Sequence, residues 1–230
     1  MPQDFENKYW QTREQRIVFR HIAALEMIER GPALDVGCGD GLFLELLKKK
    51  GIEGKGLDKS EVAVNKVRQK GLEAEQFDFV LKPLPFSDNS FAMVVMLDVL
   101  EHLQEPRQLL SEAKRVGKSI VLSVPNFNAL PFRIDVLLGK KPSCMKIKQG
   151  HRFWFSYKVL KRMIQKQGLK IDCLKVNSFF SRWPLLRHSA KGLAKIWPSL
   201  FALNFVVRLS RKTPVLSHSA GIEKGGLDSL

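Results

Sequence analysis

Cysteine is scarce in this chain. Three residues in 230, Cys38, Cys144 and Cys173, form no CxxC pair and stand at no ligand-like spacing from the five histidines. A disulfide framework and a Cys/His zinc site are therefore not expected, and a reducing, cytoplasmic setting fits. Long hydrophobic runs are also missing. The longest near the C-terminus, "LFALNFVV", has eight residues, against the roughly 20 that span a bilayer. The opening "MPQDFENKYWQTREQR" is too polar for a signal peptide, so a soluble or peripheral protein is expected. Internal repeats and low-complexity segments are absent too. Acidic residues nearly vanish after residue 132: positions 133–230 hold 20 Lys and Arg against 4 Asp and Glu, whereas positions 1–132 hold 18 against 19. The basic excess of the second half suits either an anionic partner, such as an anionic membrane surface or nucleic acid, or a solvated face.

What is present reads as alternating strands and helices. Residues 5–30 carry apolar groups at near-helical spacing up to Gly31-Pro32, which predicts a leading helix. "ALDV" then predicts a buried strand and "LFLELLKKK" a helix closed at Gly51. "EGKGLD", "EVAVNKVRQK" and "EAEQFDF" continue as strand, helix, strand. After the turn-rich "KPLPFSDNS", the run "FAMVVMLDV" has the continuous apolarity of a strand buried on both faces. "PRQLLSEAKRV" and "KSIVLSVP" supply the next helix and the fifth strand. Such a βαβαβ order implies an α/β fold with a parallel, doubly wound sheet and right-handed crossovers. With 230 residues, one domain with decorations is expected.

The first strand-to-helix turn carries three glycines in five positions, Gly37, Gly39 and Gly41, with Cys38 between the first two. In a doubly wound sheet a ligand lies beyond the strands' carboxyl ends, and glycines let the backbone approach it without a Cβ in the way. The spacing is GxGxG, preceded by Asp35. A dinucleotide fingerprint would need glycine at Leu42, and no GK[ST] follows, which excludes a P-loop. Asp58 lies 21 residues after Gly37 at the end of the second predicted strand. Its carboxylate suits a pair of ribose hydroxyls, the alternative being an N-cap for the following helix, a task that Ser60 can also perform. Asp78 and Phe79 offer an acceptor and an apolar face for a nucleobase, or form an ordinary loop.

Taken together, "LDVGCGDG", "GLDKS", "FDF", "LPFSDNSFAMVVMLDVLEHL" and "RVGKSIVLSVPN" resemble the successive motifs of class I S-adenosylmethionine-dependent methyltransferases, in register from about residue 30 to residue 125. The resemblance implies a Rossmann-like seven-stranded sheet whose last strand is antiparallel, matched by "LFALNFVVRLSRK". It further implies S-adenosylmethionine as cofactor. Asp35 and the loop of Gly37, Cys38, Gly39 and Gly41 would hold its methionine end. Asp58, followed by Lys59, would hold the ribose, Asp78 and Phe79 the adenine, and Leu97 with Asp98 would face the transferred methyl. The later segments are similar to two subgroups, the MetW-type proteins and the ubiquinone-type or sugar- and lipid-linked methyltransferases. The second implies methyl transfer to an oxygen or nitrogen of a small or lipid-linked acceptor; the first includes proteins that assist a biosynthetic acyltransferase.

His102, beside Glu101, is the nearest candidate base, although the two residues also suit the start of a helix that supports the loop over the cofactor. His151 reaches the acceptor pocket from the other side or caps the next helix. In ubiquinone-type relatives an acidic and histidine cluster here is linked to a divalent metal, which would map to Asp98, Glu101 and His102. Asp98 stands where those relatives usually have Glu, so no metal is expected. Residues 126–150 fall where substrate lids grow in this fold. They interleave apolar groups with lysines, as in an amphipathic lid or a surface that meets anionic lipid. An RNA methyltransferase ranks third. The domain is expected to span residues 1–213, with a flexible tail over 214–230.

Overall fold

The computed structural model describes residues 10, 14–142, 150–179, 192–194 and 196–212. In chain order the elements are α1 (Phe19–Glu26), β1 (Ala33–Val36), α2 (Leu42–Lys49), β2 (Gly54–Asp58), α3 (Glu61–Gln69), β3 (Glu73–Gln76) and β4 (Phe91–Leu97). A 3-10 turn (Leu100–His102) precedes α4 (Pro106–Val116), β5 (Gly117–Pro125), α5 (Leu130–Leu137), α6 (Tyr157–Lys166), β6 (Leu169–Ser178), α7 (Pro198–Phe201) and β7 (Ala202–Arg211). The strands form one seven-stranded sheet in the order β3-β2-β1-β4-β5-β7-β6. β7 inserts between β5 and β6 and runs antiparallel to both. The expected doubly wound sheet with an antiparallel last strand is therefore present.

The continuous apolar strands are explained by burial on both faces. Along β4, Val94 and Met96 enter one core cluster while Met93 and Val95 enter the other. β7 divides in the same way, with Phe205, Val207 and Leu209 on one face and Val206 on the opposite one. Leu109, Leu110, Ala113 and Val116 of α4 cover the first face together with Leu160, Met163 and Ile164 of α6. Ala23 and Ala24 of α1 with Met27 just after it, Phe43, Leu44 and Leu47 of α2, and Val64 and Val67 of α3 cover the second.

Several boundaries differ from the sequence-based expectation. The leading helix spans Phe19–Glu26, and residues 14–18 are not helical. Those residues are all exposed, Ile17 and Val18 included, so the stretch buries no apolar face that would hold a helix. β3 ends at Gln76, so Asp78 and Phe79 lie in the loop beyond it, and β4 ends at Leu97 because Asp98 turns into the left-handed region at φ 55. β6 was not placed by its pattern. At the sheet edge it buries fully only Leu169 and Ser178, and its lysines interrupt the alternation. Asn126 then locks the far side of the sheet. Its buried amide donates to the carbonyls of Ala202 (2.7 Å) and Ser199 (3.0 Å), and its Oδ1 accepts from Asn128 N at 3.0 Å.

The expected tail over 214–230 lies outside the described residues, as do positions 143–149 of the expected lid.

Candidate functional site

The strand order reverses between β1 and β4, and there a cavity of ≈ 1070 Å³ opens beyond the carboxyl ends of both strands. The glycine turn forms its floor. Gly37 N and Cys38 N donate to Leu57 O at 2.7 and 3.1 Å, which binds the turn to the end of β2. Gly37 and Gly39 both have positive φ, 76° and 53°. A Cβ on Gly39 would come within 2.2 Å of the Trp10 indole, and one on Gly37 within 2.6 Å of Val99. Hence the missing side chains make room for the protein's own groups as well as for a ligand. Gly37 and Cys38 line the cavity, whereas Gly39 and Gly41 are not among its lining residues.

Asp58 is buried and organises the turn directly. Its Oδ2 accepts from Gly39 N and its Oδ1 from Ser60 N, both at 2.9 Å. The cap of α3 is Ser60, whose side chain accepts from Ala63 N, so the N-cap reading of Asp58 is set aside. Asp58 also lines the cavity, where a carboxylate is an acceptor for hydroxyl donors. Asp35 is buried at 2% exposure, and burial, reinforced by Asp58, pushes its carboxyl up to about 7. A cationic group placed beside it would favour the ionised form. Burial likewise pushes the Cys38 thiol up, which makes it an unreactive wall. Lys59, Asp78, Phe79 and Leu97 line the same cavity. Asp78 Oδ1 accepts from Val80 N at 3.0 Å, which shapes the loop after β3.

At the other end stand Asp98, Glu101, His102 and His151. Asp98 is held by Arg20 at 3.1 Å and by the Ser123 hydroxyl, an arrangement that fixes its left-handed backbone. Burial pushes the Glu101 carboxyl well above its usual range, with repulsion from Asp98 adding to the effect. Its Oε2 has no hydrogen-bond partner among the described residues. Glu101 O accepts from Arg152 N (2.7 Å) and Phe153 N (3.0 Å), joining the segment after residue 150 to the 3-10 turn. His102 and His151 consequently face each other with ring centroids 5.0 Å apart. Burial, assisted by His151, lowers His102 to about 4, so its imidazole is neutral at pH 7.

The ligating atoms of Glu101, His102 and His151 lie within 4.8 Å of one another, a spacing able to hold a metal ion. That set is not the Asp98, Glu101 and His102 combination mapped from the sequence, because Asp98 is engaged by Arg20 and Ser123. The helix-cap reading of His151 also fails, since the Ser156 side chain caps α6 by accepting from Val159 N.

Sequence reasoning missed the contributions from outside the strand ends. Trp10, Gln15, Arg16, Arg20 and His21 line the cavity from the N-terminal side, and Phe132 of α5 and Leu203 and Asn204 of β7 line it elsewhere. The apolar periodicity of α1 signalled only its core face, whereas Arg20 and His21 reach the site through tertiary packing.

This sheet order and a ligand-sized cavity at the switch point define a class I methyltransferase fold. A crystal structure of magnesium protoporphyrin IX methyltransferase from Synechocystis with bound SAH superposes with a TM-score of 0.61 at 16% identity, over 92% of this chain and 95% of that one. A SAM-dependent methyltransferase from Archaeoglobus fulgidus gives 0.58 at 20% identity, over 91% and 94%. Residues 16–167 match the family described as "Methionine biosynthesis protein MetW", and the chain belongs to that family. It is also 30% identical to a ubiquinone biosynthesis O-methyltransferase of Alkalilimnicola ehrlichii, over 53% of this chain and 52% of that protein. Norajmaline N-methyltransferase of Rauvolfia serpentina is 28% identical, over 65% and 49%. The chain spans about half the length of the curated relatives it matches.

Proposed function

We propose that the cavity binds S-adenosylmethionine and that the protein transfers its methyl group to an oxygen or nitrogen of a small or lipid-linked acceptor. The observation that carries this reading is the continuity of one cavity, from the glycine turn, Asp58 and the Asp78–Phe79 loop to Asp98, His102 and His151. The residues fit the cofactor: the volume of ≈ 1070 Å³ lies at the upper end for a small-molecule site, Asp35 answers a cation, and Asp58 presents a carboxylate to hydroxyls in the cavity. Bound there, the cofactor supplies an activated methyl on a sulfonium. Asp35 and the glycine turn orient its amino acid end, Asp58 with Lys59 its ribose, and Asp78 with Phe79 its base. Leu97 and Asp98 border the reacting region, where Arg20 keeps the Asp98 carboxylate in place. In-line placement then supplies much of the rate. The neutral His102 imidazole accepts the proton of an acceptor hydroxyl or amine.

The test is release of S-adenosylhomocysteine with phenolic and lipid-linked acceptors. His102→Ala should lower turnover about 100-fold or more while leaving cofactor binding unchanged. A second reading, an accessory protein that stimulates a biosynthetic acyltransferase, is favoured by the match to the MetW family. Cofactor binding without turnover, together with co-purification of an acyltransferase, would support it instead.

A further inference from the structure

The helix α5 has six apolar residues among its eight, and none of the eight is buried. Ile134, Leu137 and Leu138 fall at the i, i+3, i+4 spacing of one helix face and are 45%, 84% and 63% exposed. A lid packed on its own domain would bury such a face, and this one does not. Arg133, Lys140 and Lys141 are exposed around it. Beside the start of α5, Phe127 N donates to Phe155 O at 2.9 Å, and the Phe127 ring stacks on Trp154, itself 54% exposed. From that junction α6 departs with Lys158, Lys161, Arg162 and Lys166 all exposed. Their spacing places them on one stripe of the helix. Among the described residues, none of the four is in an ion pair with an acid.

We infer that α5, with Trp154 and the basic stripe of α6, docks on the surface of an anionic lipid bilayer. Exposed apolar side chains flanked by Arg133, Lys140 and Lys141 are what interfacial burial beneath anionic headgroups requires. A second copy would bring like charges together, and nucleic acid would leave Leu137 and Leu138 uncovered. Among the described residues, no helix is long and apolar enough to cross a membrane, so the contact is with the surface. Phe132 of the same helix lines the cavity and lies on the side of α5 away from Ile134, Leu137 and Leu138, so docking would bring the cavity next to the bilayer with α5 between them. This deepens the lipid-linked form of the acceptor reading and rests on it only for that consequence.

Vesicle co-sedimentation tests the contact without cofactor or acceptor, so its failure is distinguishable from failure of the methyltransferase reading. The full-length protein should sediment with vesicles of mixed phosphatidylglycerol and phosphatidylcholine, not with phosphatidylcholine alone, and progressively less as salt rises. Leu137→Glu combined with Leu138→Glu should weaken partition about tenfold or more, as should Lys158→Glu combined with Lys161→Glu. Both pairs are exposed, so circular dichroism and cofactor binding should remain unchanged. Absence of wild-type binding to phosphatidylglycerol vesicles would overturn the inference. So would wild-type-like binding by the Leu137/Leu138 variant, or a dimer in solution that this variant dissociates.

Discussion

Asp35 and Asp58 lie side by side at the base of the cavity, yet their environments give them different tasks. Asp58 accepts from two backbone N–H groups and so ties the glycine turn to the start of the loop after β2. Asp35 is raised from 3.8 to about 7. Because its folded-state value lies above its unfolded one, its contribution to stability is complete below pH 4 and is lost as pH rises to about 7. The slope is roughly 1.4 kcal/mol per pH unit between those values. Thermal denaturation of the ligand-free protein should show this loss between pH 5 and about 7, and Asp35→Asn should flatten the profile. Cofactor affinity should move the other way, strengthening as pH rises through about 7, because the ionised carboxylate attracts the cofactor's cationic end. For His102 the largest cause of the shift to about 4 is burial, with His151 second. His151→Ala should therefore move the acid limb of the pH–rate profile upward from that value, but short of the ordinary 6.5.

At the scale of elements, the site depends on a short turn that must satisfy several neighbours at once. Gly39 combines a φ of 53° with an indole where its Cβ would be. Gly39→Val should cost about 1–3 kcal/mol from the backbone alone, displace Trp10, and abolish cofactor binding measured by titration. The glycine turn, β1, β4 and β5 were legible in the sequence because each announces itself locally, through an apolar run or a change of period. β6 was not, since an edge strand with lysines in it buries little and alternates poorly. Whether the apolar face of α5 turns inward or outward was left open by the sequence, for its composition is the same in both cases; in the structure none of its eight residues is buried. Asp98 lies directly after β4 and not within it as expected, and its partner Arg20, 78 residues earlier in the chain, left no local signal.

Considered whole, the molecule places its charge asymmetry in a definite relation to its site. The near-neutral first half forms β1 to β4 and the carboxylate wall, while the basic second half forms α5, α6 and the antiparallel β6–β7 pair. One cavity joins the two halves, with residues from Trp10 to Asn204 on its wall. Membership of the MetW family accompanies this architecture, and both the catalytic and the accessory readings require the cofactor pocket to be real. The decisive measurement is calorimetric titration of the purified protein with S-adenosylmethionine and S-adenosylhomocysteine, with Asp58→Ala as control and circular dichroism to verify its fold. The account predicts saturable binding of both ligands at one site, lost in the variant. A folded wild-type protein that binds neither ligand would contradict it.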